Sequence, residues 1–130
     1  VILGTSLWQS TRLLEQAGDY LQNVLIPSGF SDKLDTPLVR SFVEDYKKTY
    51  GSSPTLLSAV GYDSVRILRH LLCVEKIRTR KEFMKALVAI SGFETLRGPA
   101  SFDSGREIKQ SPPLLTVSGG KFVVVNTNGY

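Results

Sequence analysis

The chain is poor in the residues that most often carry chemistry. Its 130 residues include one cysteine, one histidine, one methionine and one tryptophan. With Cys73 alone, no intrachain disulfide can form. Its place in Leu71-Leu72-Cys73-Val74 predicts a small buried hydrophobe. His70 and Cys73 stand three apart and make at most half a metal site, because zinc needs three or four ligands. The single histidine also leaves a Ser-His-Asp triad without placeable partners. A G-x-S-x-G elbow, a G-x-x-x-x-G-K phosphate loop and a G-x-G-x-x-G turn are all missing. Neither an enzyme nor a bound cofactor is therefore expected. No apolar run approaches membrane-spanning length, and no leader peptide is visible in these residues. The excess of one charge over the other is small too, the net being +4. The basic residues do not interleave with aromatics, which argues against a nucleic-acid partner.

What remains is an ordinary globular composition, 42% hydrophobic and 22% charged, sufficient for one small core. Val1-Ile2-Leu3 reads as a short buried strand closed by Gly4 and a loop from Thr5 to Ser10. Ser10 or Thr11 can cap a helix over residues 12–17, with Leu13 and Leu14 inward and Gly18-Asp19 ending it. Asn23 to Pro27 reads as a second buried strand. Thr36-Pro37 opens the clearest helix, with Leu38, Val39, Phe42, Val43, Tyr46 and Tyr50 on one stripe and Gly51 as its stop. A long helix is expected from Thr55 to Val74. Its apolar face takes in Leu57, Val60, Ile67, Leu68, Leu71 and Leu72, with Asp63 or Ser64 at the margin. Thr79 and Glu82 form a capping box for a helix over 80–90, stopped by Gly92. The basic cluster Lys76, Arg78, Arg80, Lys81 and Lys85, with Glu75 and Glu82 among it, reads as a solvated helix junction. A patch for an acidic partner or an anionic membrane is the alternative.

The remainder is β: a strand over 100–102, an Asp103-Ser104-Gly105 turn, then Leu114–Val117 and Phe122–Val125 joined as a hairpin through Ser118-Gly119-Gly120-Lys121. Asn126 to Tyr130 is polar and expected to fray. The predicted order β-α-β-α-α-α-β-β-β is α/β. It has too few strands to bury both faces of a parallel sheet, so it reads as a subset of something larger.

Several passages carry a family resemblance. They are Ile2-Leu3-Gly4-Thr5-Ser6, then Ala17-Gly18-Asp19 followed by Val24–Pro27, then Phe42-x-x-x-Tyr46-x-x-x-Tyr50-Gly51-x-x-Pro54. Ala59-x-x-Tyr62-Asp63-Ser64-Val65 and Gly98-x-x-x-Phe102-Asp103 complete the set. In this order and spacing the chain resembles the C-terminal portion of type I periplasmic solute-binding proteins, the branched-chain amino acid receptor group. Two departures stand out. Asn23 occupies a usual glycine position, and Gly105 falls one place early, with Arg106 where the family's last glycine belongs. The resemblance implies an α/β chain that is part of a two-lobed fold ending in a β-hairpin. Residues 1–35 would be a second-lobe strand-helix-strand segment, 36–98 a helical segment returning to the first lobe, and 99–130 the closing strands.

The resemblance also implies a solute held between lobes that close by hinge motion. The loop Thr5-Ser6-Leu7-Trp8-Gln9 would border that cleft, with Thr5, Ser6 and Trp8 as its ligand-binding candidates, and Tyr62 and Asp63 would reach it from the long helix. Ser6 stands where amino acid receptors of the group usually place a carboxylate for the ligand ammonium. A serine there accepts a hydrogen bond without charge. Trp8 reads as an apolar or cation-binding wall, or as packing between lobes. Tyr62 reads equally well as core packing, Asp63 as a local hydrogen-bonding group, and Asp103 as a turn residue. The expected setting is periplasmic or extracytoplasmic, with lipid anchoring through a region before this one. The expected partners are an amino acid-like small molecule and a membrane transporter permease. The rival reading is a lipoprotein that regulates cell-wall synthesis by contact with a synthase. Strand edges left open by a missing half predict that the isolated chain self-associates.

Overall fold

The computed structural model describes residues 2–125. Val1 of the expected first strand and the expected fraying of residues 126–130 lie outside the described residues. Among those described, two sheets and four α-helices are arranged around three apolar clusters.

The first sheet has the order β1-β2-β6-β7. Strand β1 (Ile2–Leu3) runs parallel to β2 (Val24–Pro27), with Ile2 opposite Val24 and Leu3 opposite Leu25. β6 (Leu114–Ser118) is antiparallel to β2, and β7 (Lys121–Val124) returns beside β6. Gly119 and Gly120 join the last two strands, both with the positive φ that a tight two-residue hairpin turn of this kind needs. In β2 burial alternates: Val24 and Ile26 are buried, and Leu25 and Pro27 are half-buried. The inward face meets Leu115, Val117 and Leu21 and is covered by Leu13, Leu14 and Ala17 of α1 (Thr11–Ala17). The expectation of a buried first strand fails. Ile2 is 54% and Leu3 77% exposed, because β1 is an edge strand among the described residues.

Helix α2 (Pro37–Tyr50) begins as its sequence requires. The Thr36 hydroxyl accepts from the Val39 N–H at 3.2 Å, and Gly51 closes the helix in the left-handed region. Helix α3 (Leu56–Arg69) opens with a reciprocal cap between Thr55 and Ser58. Together they bury Val39, Phe42, Val43 and Ala59 with Phe30 and Leu96. Tyr50 and Leu57, expected on apolar stripes, lie outside this core.

The long helix expected to reach Val74 does not continue as α. It widens into a π turn over His70–Val74, where the Glu75 N–H bonds back to the His70 carbonyl at 3.0 Å. A wider turn carries one more residue per loop and changes which side chains face inward. Leu71 is fully buried, while Leu72, Cys73 and Val74 are exposed. Cys73 is thus not the buried hydrophobe the sequence predicts. Helix α4 (Arg80–Ala89) starts at the predicted capping box, Thr79 with Glu82. Its inner face packs Phe83, Ala86 and Leu87 against Ile67, Leu71 and Ile90.

The second sheet, β3 (Phe93–Thr95), β4 (Gly98–Phe102) and β5 (Ile108–Lys109), is a small antiparallel meander. β4 and the turn after it were legible in the sequence. β3 and β5 are too short to show a period.

Candidate functional site

The β1–α1 turn is the first candidate region. The Gly4 N–H bonds to the Leu25 carbonyl at 2.8 Å, extending the parallel pairing by one residue. The chain then tightens into a 3-10 turn over Ser6–Trp8, with the Trp8 N–H on the Thr5 carbonyl at 2.9 Å. That turn folds the indole of Trp8 back over Gly4. A Cβ at Gly4 would lie 2.8 Å from the ring and 3.2 Å from Ile26, so the absence of a side chain is what seats the tryptophan. Trp8 is half-buried against the first-sheet cluster. Thr5, Ser6 and Leu7 stand outside it, with Leu7 87% exposed.

Gln9, the end of the loop expected at the cleft but not one of the five candidates, holds this loop in place. Its amide donates to the Phe30 carbonyl at 2.9 Å and accepts from the Ser28 hydroxyl at 2.7 Å. Ser28 is fully buried. The loop is thereby tied to the exit of β2, and beside it Gln9, Ser31, Lys33 and Phe122 border an open cavity of about 790 Å³.

The second region lies between α2 and α3. Phe42, Tyr46 and Tyr50 form a ladder one turn apart along α2, with centroids 5.8 Å and 4.6 Å apart. Tyr62 of α3 closes on Phe42 at 4.7 Å. The Tyr46 hydroxyl accepts from Ser58 at 3.0 Å. Together with Leu57 and Val65 these rings border a largely apolar groove of about 650 Å³. Arg66 lies 5.9 Å from the Tyr62 ring and 5.5 Å from Phe93, with its guanidinium donating to the Glu94 carbonyl at 2.7 Å. This contact ties the groove's far end to β3.

Asp63, the residue after Tyr62, faces inward and is 2% exposed, in contrast to the marginal position its sequence suggests. One carboxylate oxygen accepts the Leu96 N–H at 2.9 Å, and the other meets Arg97 Nε at 3.5 Å. The five residues singled out by sequence therefore fall into two groups. Thr5, Ser6 and Trp8 share the β1–α1 turn, Tyr62 and Asp63 share α3, and no described hydrogen bond or ring contact joins the groups. Asp103 serves its turn, accepting the Glu107 N–H at 2.9 Å and pairing with Lys109 at 3.2 Å. The backbone bond from Glu107, then Lys109, hold its carboxyl below the ordinary carboxylate range. His70 pairs with Glu75 at 3.0 Å. Among the described residues, no three metal-ligating side chains converge.

Comparison with known proteins places the fold. A family profile described as periplasmic binding protein matches residues 1–121. No curated protein sequence matches. Among solved structures, a protein from Rhodospirillum rubrum assigned to branched-chain amino acid ABC transport superposes with a TM-score of 0.85 at 29% identity. The match covers 95% of this chain and 36% of that one. The branched-chain amino acid transporter substrate binding protein LivJ from Streptococcus pneumoniae, in complex with isoleucine, gives 0.72 at 24%, over 95% and 36%. An ABC transporter solute binding protein from R. palustris, in complex with benzoate, gives 0.65 at 24%, over 87% and 32%. The chain spans about a third of the length of each. At their level of identity, the last two likenesses speak for the fold alone.

Proposed function

We propose that this chain, which belongs to the periplasmic binding protein family, is the C-terminal part of an extracytoplasmic receptor that holds a small amino acid-like solute for ABC-type uptake or sensing. The observation that carries the reading is the superposition on the Rhodospirillum rubrum protein over 95% of this chain. In this reading residues 1–35 belong to the second lobe, 36–98 return to the first, and 99–130 supply the closing strands. Thr5 and Ser6 are exposed on a turn anchored through Gln9, which suits them to offer hydroxyls to a solute. Trp8 backs that turn, and Tyr62 offers a ring face with a hydroxyl that bonds to no described residue. Asp63 contributes by fixing α3 against the β3–β4 turn. Since Ser6 carries no charge, the solute's recognition rests on hydrogen bonds and apolar contact at this end, a chemistry open to carboxylic acids without an ammonium group. No helix of the described residues is long and apolar enough to cross a membrane. In this reading a lipid anchor in a region before this one holds the receptor at the membrane, and delivery is to a membrane permease.

The test is thermal unfolding of the full receptor chain against branched-chain amino acids, short peptides and aromatic carboxylic acids. A solute present at about 100 times its dissociation constant adds roughly 2.7 kcal/mol to stability. Ser6→Ala and Tyr62→Ala should each reduce the shift. No shift with any of the panel refutes the reading. One observation favours a second reading: Leu7 is 87% exposed beside the neutral Ser6, as suits contact with a protein. A regulator of cell-wall synthesis would then bind a membrane peptidoglycan synthase directly, and a purified synthase that fails to retain the full chain removes this alternative.

A further inference from the structure

The net charge of +4 is concentrated in one place. Residues 69–85 hold six of the sixteen Lys and Arg residues and two of the twelve Asp and Glu residues, a surplus equal to that of the whole chain. Elsewhere ten cations face ten anions. This segment leaves the last turn of α3, passes through the π turn and enters α4, so it forms the tip of a helix pair. Both of its acids are committed internally. Glu75 meets His70 at 3.0 Å. Glu82 accepts from the Thr79 and Arg78 N–H groups at 3.1 and 3.3 Å. Its bonding to the Thr79 side chain, then to those N–H groups, holds its carboxyl below the ordinary carboxylate range. Arg78 reaches back to the Leu72 carbonyl at 3.3 Å. Arg69, Lys76, Arg80, Lys81 and Lys85 are all exposed, and their side chains form no ion pair among the described residues. Lys81 and Lys85, one turn apart, point away from the α4 face that packs Phe83 and Leu87. Amid these cations the π turn leaves Leu72 42% and Val74 60% exposed.

We propose that this tip docks on an anionic phospholipid surface, its cations among the headgroups and Leu72 and Val74 entering the interface. Unpaired cations around protruding aliphatic side chains are what a charged bilayer accepts without shape matching. An acidic protein partner would be read through rigid aromatic anchors and fixed polar contacts. The tip exposes no tyrosine or tryptophan, and its cations other than Arg78 are long, exposed side chains with no ion pair among the described residues. The proposal is independent of any bound solute.

The test is co-sedimentation of the full chain with vesicles of equal parts phosphatidylcholine and phosphatidylglycerol, and with phosphatidylcholine alone. Binding is expected only to the anionic vesicles and should fall as salt shortens the screening length. Lys81→Gln with Lys85→Gln should weaken partitioning by about tenfold or more, and Leu72→Ser with Val74→Ser should weaken it further at any salt concentration. Lys48→Gln with Lys121→Gln removes the same charge away from the tip and should change partitioning by no more than about twofold. Circular dichroism checks that each variant is folded. The proposal is overturned if the chain ignores anionic vesicles, if the two lysine pairs weaken binding equally, or if the chain is retained by polyglutamate but not by vesicles.

Discussion

Replacing Asp63 separates a structural carboxylate from one that meets a solute. Its side chain is 3% exposed, and it accepts the N–H of Leu96, itself 1% exposed. Asp63→Ala leaves that buried donor without a partner, which costs about 1–3 kcal/mol, and also removes a charge-assisted bond. The Arg97 contact adds less: it is 3.5 Å long and the arginine is 21% exposed, where screening keeps an ion pair to about 1 kcal/mol or below. Together these predict a loss of about 2–4 kcal/mol for Asp63→Ala. For a chain of this size that lowers the melting temperature by roughly 8–16 °C. Asp63→Asn keeps a carbonyl oxygen for Leu96 and should cost only about 1 kcal/mol, and Arg97→Ala should cost a similar amount. Urea unfolding with matched m-values measures all three. The reasoning fails if asparagine is as damaging as alanine. It also fails if Asp63→Ala unfolds within about 0.5 kcal/mol of the parent, and a loss of solute binding in that stable variant would move Asp63 into the site.

Three further outcomes are expected. Gly4→Ala should destabilise by about 1–3 kcal/mol and shift Trp8 emission, since its new methyl meets the indole at 2.8 Å. Gly29→Ala should be nearly neutral despite a closer approach of 2.6 Å, because the atom it meets is the end of Leu56, 40% exposed and free to swing; the reverse order in chemical unfolding would contradict both. Glu82 and Asp103 are both held below the ordinary carboxylate range in the fold, so each contributes stability that is complete above about pH 5 and lost as pH falls through the lowered folded value. The stability gap between the parent and Glu82→Gln should therefore shrink on acidification, and a gap that persists or widens in acid is the opposite result. The 130-residue chain should self-associate through the open side of β1, where Ile2 and Leu3 are exposed; a strictly monomeric mass at high concentration in sedimentation argues against it.

The sequence disclosed elements wherever a local rule acts alone. Thr36-Pro37 and Thr79–Glu82 mark helix starts because each cap involves only neighbouring atoms. Gly51 and the Gly119-Gly120 pair mark reversals because only glycine adopts those angles freely. Where a residue's fate depends on distant partners, the reading failed. Asp63 lies near an apolar face, and its burial follows from a backbone N–H thirty-three residues on. Cys73 follows a leucine pair, and only the π turn at His70 moves it outward. Gln9 carries no periodic signal at all, although it fixes the turn that presents Thr5 and Ser6. The two site groups were each visible as motifs. Their separation into a turn and a helix groove was not, since motif spacing along the chain says nothing of distance between elements.

The pairing of β2 with β6 has a consequence for the order in which the chain can acquire structure. Ile26 finds its antiparallel partner in Leu115, roughly ninety residues downstream. The helices between them involve near neighbours and can form as soon as they are made. The first sheet cannot close until residues 114–118 are available, so residues 2–27 lack their antiparallel neighbour until then. A chain stopped short of residue 114 would therefore lose order far from the break: β2 would lack its antiparallel neighbour, and α1 would have only half a surface to rest on.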